Sequence, residues 1–355
     1  MTVSLKPLSE QTLVITGASS GIGLATARSA AERGAKVVLT ARNQEKLAEI
    51  AGEINHGGGQ AAYVAADVAS RDELNHVADV AIQRFGGFDT WVNDAGIGIY
   101  GRLDEVTEGD ARRVFDTNYW GAVNGSLIAT EHLRSRGGAI INVGSVASDH
   151  AIPMLGVYSA TKHALRGFTD ALRMELDLEK APVSVTLIKP TSINTPFPHH
   201  AKNYTDREPQ VPPPVYQPDE VAAAILYAAE HPVRDIYVGS MSRIMSSLGK
   251  AAPRAADWLS ETMMVPREFR DEPAHDREGS LYEPQHGGEV YGDHPGFVRP
   301  VSVYTRAVIH PMLASAAMGG ALAIAAAATA WAMGSGGNKA ERFGRHLKNG
   351  PRWPR

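Results

Sequence analysis

From Gln11 to about Gly239 the chain alternates short, uninterrupted apolar runs with longer stretches of helical period, and this rhythm decides the fold class. Leu13–Thr16, Val37–Thr40, Ala62–Ala65, Thr90–Asn93, Ala139–Val143, Val183–Ile188 and Ile236–Val238 read as buried strands. Ile22–Arg33, Gln44–Asn55, Arg71–Phe85, Asp110–Leu133, Tyr158–Leu178 and Asp219–Ala229 read as the helices between them. Strands that are apolar throughout, rather than at every second position, suit a parallel sheet covered on both faces. Parallel neighbours need crossovers, so the expectation is an α/β, doubly wound parallel sheet. At 355 residues there is room for an appendage beside it.

The first strand runs into Thr16-Gly17-Ala18-Ser19-Ser20-Gly21-Ile22-Gly23, which opens the first helix. Glycine at 17 permits a tight turn, at 21 a close approach of a pyrophosphate, and at 23 close helix packing. The helix dipole and its free N–H groups then face the phosphates. A lone glycine fingerprint is a common turn, but after a strand and before a helix it reads as a Rossmann-type nucleotide site. The second strand ends in Leu39-Thr40-Ala41-Arg42-Asn43, without a carboxylate to bind a ribose 2′-OH. Arg42 offers forked, permanently charged donors suited to a 2′-phosphate, which favours NADP(H) over NAD(H). The plain alternative is a solvated loop charge.

Tyr158 and Lys162 stand four apart, with Ser145 thirteen positions upstream. Residues at this spacing share a helix face and can point into one cavity. A phenol normally titrates near pH 10; a neighbouring ammonium and an oxidised nicotinamide would both favour the phenolate and lower that value. Tyr158 could then exchange a proton with a carbonyl or alcohol oxygen, while Ser145 hydrogen-bonds the same oxygen. A Tyr-x3-Lys pair alone means little on an amphipathic helix. Joined to the glycine turn and the serine, it reads as a nucleotide-dependent oxidoreductase.

On these motifs, together with Asp67-Val68, Asn93-Asp94-Ala95-Gly96, Asn118 and Lys189-Pro190, the sequence resembles the short-chain dehydrogenase/reductase family over residues 8–240. The resemblance implies that Gly17, Ser19, Ser20, Gly21, Ile22 and Gly23 hold the cofactor phosphates, and that Asp67 and Val68 line the adenine pocket. It places Asn93, Ala95 and Gly96 beside the adenine ribose and central sheet. It makes Asn118 a fourth catalytic member that holds a water linking Lys162 to solvent. It further implies that Lys162 bonds the nicotinamide ribose, that Pro190, Ile193 and Thr195 lie near the carboxamide, and that two long helices form a homodimer or homotetramer. Asp94 replaces the usual second asparagine, and Thr191 the glycine that normally follows Pro190.

The remaining features bound the reading. A net charge of −4 gives no overall basic balance for nucleic acid. The absence of cysteine excludes disulfides and thiolate metal sites. Met1–Glu10 has no apolar core of a secretory signal, so a cytoplasmic enzyme is expected. The proline-rich stretch Ser192–Gln217 interrupts the rhythm and reads as a substrate lid, the plain alternative being a surface loop stiffened by prolines, with His199 and His200 as solvent-facing residues without a third metal ligand. Beyond it, 241–306 reads as a helical segment followed by an extended linker at Pro266–Arg299. The alanine-rich stretch 307–338 is a candidate membrane segment, because Met312–Met333 would span about 33 Å as a helix against a hydrocarbon core of about 30 Å. Residues 339–355 form a basic tail.

The sequence therefore points to an NADP(H)-dependent reductase or dehydrogenase acting on a carbonyl or alcohol. Ile97, Ile99 and Tyr100, with Ile152, Pro153, Met154 and Leu155, suggest a hydrophobic substrate. An epimerase or dehydratase using the same cofactor is the first alternative. A non-catalytic NADP(H)-binding scaffold is the second, and the retention of Ser145, Tyr158 and Lys162 argues against it.

Overall fold

The computed structural model describes residues 3–284 and 287–310. Strand β1 (Thr12–Thr16) leads through the glycine turn into α1 (Gly21–Glu32), followed by β2 (Lys36–Ala41), α2 (Gln44–His56), β3 (Gln60–Ala65), α3 (Arg71–Phe85) and β4 (Thr90–Asn93). After the short β5 (Ile99–Tyr100), α4 (Glu108–Phe115) passes through a π-helical turn at Asp116–Trp120 into α5 (Gly121–Leu133), where the sequence suggests one continuous helix. Next come β6 (Gly138–Val143), α6 (Gly156–Glu179) and β7 (Val183–Pro190). The proline-rich stretch then supplies α7 (Phe197–His200), β8 (Lys202–Asn203), β9 (Arg207–Pro209) and β10 (Val215–Tyr216) before α8 (Pro218–Glu230) and β11 (Asp235–Val238).

Seven parallel strands form one sheet in the order β3-β2-β1-β4-β6-β7-β11. Every residue of β1, β4, β6 and β7 is buried, as continuous apolar runs require when helices cover both faces. Trp91, Phe88, Ile128, Leu133 and Leu176 pack together under one face. The side chains of Asn43, Ser70 and Thr107 cap α2, α3 and α4 by accepting from N–H groups of the first turn. Strand order reverses between β1 and β4. In such sheets the crevice at the carboxyl ends of these strands is where ligands bind.

After β11 the chain is helical where a helical segment is expected, whereas Pro266–Arg299 departs from the extended linker suggested by its composition. Helices α9 (Ser240–Ala251) and α10 (Pro253–Leu259) pack Met245 and Ala256 against Val146. The chain then returns as β12 (Phe269–Pro273), antiparallel to β9, and β13 (Val298–Arg299), parallel to β10. Between them, backbone bonds run from Asn203 N–H to Arg277 (2.8 Å), Ser280 N–H to His200 (2.8 Å) and Gly292 N–H to Asn194 (3.0 Å). Backbone pairing of this kind depends little on side-chain type, so a polar, glycine-rich composition conceals it. The first compact unit extends through Thr305. Among the described residues no helix is long and apolar enough to cross a membrane. The candidate span Met312–Met333 and the basic tail lie outside the described residues.

Candidate active site

A single cleft of about 280 Å³ opens at the carboxyl ends of the central strands and joins the glycine turn to the Tyr-x3-Lys helix. Gly17 has φ +72°, and a Cβ there would stand 2.9 Å from the Ala95 backbone nitrogen. A side chain at Gly23 would run into the Gly17 carbonyl and the Asp94 carboxylate. The turn and α1 therefore come close together only because both positions are glycine. Thr16 ties this turn to β4, its hydroxyl accepting from Asp94 N–H (3.0 Å) and Ala95 N–H (3.1 Å).

Most expected cofactor residues line this cleft: Gly17, Ser19, Ser20, Gly21, Ile22 and Arg42 at one end, with Asp67, Val68, Ala95 and Gly96 beside them. Tyr158, Lys162, Pro190, Ile193 and Thr195 line it too, Thr195 lying against Gly21. Gly23 acts from behind, through packing. Asn93 is a correction. Its amide is buried in the sheet, donating to Ser126 Oγ (3.0 Å) and Asn142 Oδ1 (2.8 Å) and accepting from Trp91 Nε1 (2.9 Å). It holds α5 on β4 and β6 and does not reach the cleft.

The end of the cleft at Arg42 holds a second departure from expectation. Arg42 Nη1 donates to the carbonyls of Leu281 (3.4 Å) and Tyr282 (2.8 Å), and its Nη2 to that of Ser280 (2.5 Å). Arg113 also donates to Leu281 (3.1 Å) and pairs with Asp67 (2.5 Å). Burial raises the Asp67 carboxyl, but the Arg113 hydrogen bond, the Ala69 N–H and both guanidinium charges bring it below its ordinary value. Residues 280–284 and 287–289 thus form a strap beside the cleft. It reaches the phosphate turn itself, with Gly288 N–H donating to the Ser19 carbonyl at 2.7 Å.

At the other end β6 delivers Ser145, which caps a short 3-10 turn (Val146–Ser148). The Ser145 hydroxyl hydrogen-bonds the Tyr158 phenol. The Tyr158 ring packs against Phe197, with centroids 5.3 Å apart. Lys162 is buried; its Nζ lies 5.5 Å from the Tyr158 ring centroid and donates to the Val143 carbonyl at 2.8 Å. Burial depresses the Lys162 ammonium, opposed by the charge of Asp94, and burial raises the Asp94 carboxyl, opposed by Lys162. The aspartate that departs from the usual pattern is therefore an electrostatic partner of the lysine.

Burial acts on Tyr158 against the lowering expected from Lys162 and a bound nicotinamide. The phenol is pushed up to about 12, chiefly by burial, with the Ser145 hydrogen bond acting in the opposite sense and Asp94 adding to the rise. Desolvation penalises phenolate more than the Ser145 hydroxyl can offset. In this state Tyr158 is a protonated donor. Asn118 lies behind the cleft, its side chain accepting from Ile97 N–H (2.8 Å) and donating to the Ile97 carbonyl (2.9 Å) and Thr161 Oγ1 (3.1 Å). These bonds clamp the β4–β5 loop to α6 through the π-helical turn, a device common at functional sites. Thr191 also lines the cleft, and a Cβ on Gly239 (φ +86°) would press on its methyl group.

The short chain dehydrogenase family model matches residues 11–205, more than half of the chain. This protein belongs to the short-chain dehydrogenases. An uncharacterized oxidoreductase of Bacillus subtilis, YxnA, is 46% identical over 329 residues, covering 92% of each chain. The Listeria monocytogenes oxidoreductase Lmo0432 is 35% identical over 247 residues, 66% of this chain and 98% of its own. Among solved structures, the alcohol dehydrogenase of Thermococcus sibiricus complexed with 5-hydroxy-NADP superposes with a TM-score of 0.56 at 27% identity, over 64% of this chain and 95% of its own. The YxnA match continues well past residue 205, into the part of this dehydrogenase that forms the strap.

Several cleft residues of the dehydrogenase were not singled out by its sequence. Ile97, Tyr100, Ile152 and Leu155 line the cleft as expected, whereas Ile99 is core. Phe197, His200, Val211 and Pro212 come from the proline-rich stretch, and Met264, Glu268, Ser280, Pro284 and Gly287 from the segment after it. No local periodicity marks the second group. His199 is not simply solvent-facing: it lies 3.2 Å from Glu208 and 2.7 Å from Asp293, joining the proline-rich stretch to the segment that follows the strap. Among the described residues no cluster has the makings of a metal site.

Proposed function

We propose that this short-chain dehydrogenase transfers hydride between NADP(H) and a carbonyl or alcohol on a mainly apolar substrate. The observation that carries the reading is the shared cleft: Ser145, Tyr158 and Lys162 line the same space as the phosphate turn. The glycine cradle fits a dinucleotide, since side chains at Gly17 or Gly23 would fill it. NADP(H) is favoured by Arg42 and by the lack of a carboxylate from Leu39 to Asn43. The nicotinamide supplies or accepts the hydride. In reduction, Tyr158 gives its proton to the carbonyl oxygen while Ser145 donates a hydrogen bond to the same atom. Lys162 holds positive charge beneath them and, in oxidation, favours the phenolate that receives the alcohol proton. Tyr100, Ile152, Leu155 and Phe197 offer apolar surface to the substrate.

Self-association belongs to the same reading, because Leu127 on α5 and Met174 and Leu178 on α6 are exposed. A panel of aldehydes, ketones and alcohols followed at the nicotinamide absorbance, with NADPH and NADH in parallel, tests the proposal. Carbonyl loss should match NADPH consumption one for one, with NADPH preferred. Turnover without net consumption would favour the epimerase or dehydratase, and dinucleotide binding without any turnover would favour a scaffold.

A further inference from the structure

Glu268 is a carboxyl in the cleft that neither hydride nor proton transfer uses. It lies outside the stretch matched by the family model. A 3-10 turn (Val265–Arg267) precedes it and β12 follows it. Its N–H donates to the Val265 carbonyl at 3.1 Å and its carbonyl accepts from Gln210 N–H at 2.8 Å, so the backbone is fixed on both sides. The side chain is 2% exposed and lines the cleft with Tyr100, Tyr158 and Met264.

Its Oε2 is buried and has no hydrogen-bond partner among the described residues. The flanking guanidinium groups bond elsewhere: Arg267 Nη1 donates to the Met263 carbonyl and Arg270 Nη2 to Asp293, while Arg270 Nε is itself unpaired among the described residues. Burial alone governs the carboxyl, pushing it up to about 8, so at neutral pH it is mainly the uncharged acid. When ionised, Glu268 and Tyr158 both disfavour the Tyr100 phenolate, so each lies near that ring. Folded proteins rarely leave a buried polar atom unpaired, and one that lines a ligand cleft is a partner for the ligand.

We infer that Glu268 is a specificity-determining residue that hydrogen-bonds a hydroxyl group on the substrate, separate from the carbonyl or carbinol that reacts at Tyr158. An uncharged carboxyl both donates and accepts, and so does a hydroxyl, whereas the surrounding Tyr100, Ile152, Leu155 and Met264 suit an apolar body. The inference rests on the proposed reaction for its catalytic consequence, though not for binding.

The test uses the full chain saturated with NADP(H) and matched probes: acetophenone and its ring-hydroxylated isomers for turnover, and the corresponding 1-phenylethanols for calorimetric binding. At least one hydroxylated isomer should be favoured about tenfold or more over the parent in both binding and kcat/KM. Glu268→Met, apolar and of similar length, should bring that ratio close to one, and Glu268→Gln should keep most of it. Melting curves establish that each variant is folded. A wild-type ratio near one overturns the inference without any variant. So does a Glu268→Met protein that keeps the ratio or weakens all probes equally, or a preference for an amino over a hydroxyl isomer. Discriminating binding with no turnover would sink the reductase reading and leave Glu268 standing. Turnover without discrimination would do the reverse.

Discussion

The backbone N–H of Gly21, at the start of α1, donates to the carbonyl of Glu289 across 2.9 Å. An N–H at a helix N-terminus is the kind of donor a pyrophosphate takes, and here the strap takes it first. A dinucleotide phosphate that uses this N–H must displace the Glu289 carbonyl. Gly288→Val should loosen the contact, because Gly288 has φ +105° and a Cβ there would press on Lys46. The expected result is several-fold faster NADPH release in stopped-flow measurements, with the melting temperature of the sheet domain nearly unchanged. An unaltered release rate would show that the strap does not control the exchange.

Arg42 couples cofactor choice to the same strap. Its guanidinium holds three consecutive carbonyls, those of Ser280, Leu281 and Tyr282, while lining the cleft. Arg42→Ala should therefore raise KM for both nucleotides, with the larger effect on NADPH. Charge-assisted bonds to a phosphate contribute about 1.5–3 kcal/mol, so the NADPH increase should be about tenfold or more. An equal rise for NADH would show that Arg42 serves only the strap or the shared part of the nucleotide.

Tyr158→Phe keeps the ring that packs on Phe197 and removes the hydroxyl that Ser145 engages. Turnover should fall by about 10²–10⁴-fold, the usual contribution of general acid–base catalysis, while NADPH binding persists. Fluorescence titration of NADPH and single-turnover kinetics separate the two. Retention of more than about a tenth of wild-type kcat would mean that another group handles the proton.

The sheet was legible in the sequence because its strands are buried on both faces and leave continuous apolar runs. The runs at Thr90–Asn93 and Val183–Ile188 fall on β4 and the start of β7. The break between α4 and α5 was not legible. It is set by Asn118 clamping Ile97 and Thr161, residues distant in sequence, and periodicity passes over such a contact. Helix spacing and proton chemistry placed Ser145, Tyr158 and Lys162 together, whereas the family resemblance set Asn93 beside the adenine ribose, although Trp91, Ser126 and Asn142 occupy that amide. The strap left no side-chain pattern because much of its attachment is made through carbonyls and glycine N–H groups. Glu268 looked like one acid among many in a polar stretch, and only the fold shows that it is buried.

That burial makes a pH prediction independent of any substrate. The Glu268 carboxyl titrates near 4.5 when free and about 8 in the folded chain. Below the lower value both states hold the proton, so pH has no effect through this group. Between the two values the unfolded chain has released the proton and the folded chain retains it. Rising pH therefore favours the unfolded state, by about 1.4 kcal/mol per pH unit at most. The stability that the raised value provides is fully present below the unfolded pKa and is lost as pH rises through the folded one. Glu268→Gln removes this titration while preserving shape. Melting temperatures of wild type and variant, measured from about pH 5 to pH 9, should diverge up to about pH 8 and level off above it, the variant becoming relatively more stable toward alkaline pH. Asp94 is present in both proteins, so its own raised carboxyl cancels in the comparison. Parallel curves would mean that Glu268 is ionised in the folded protein and has a partner in solution.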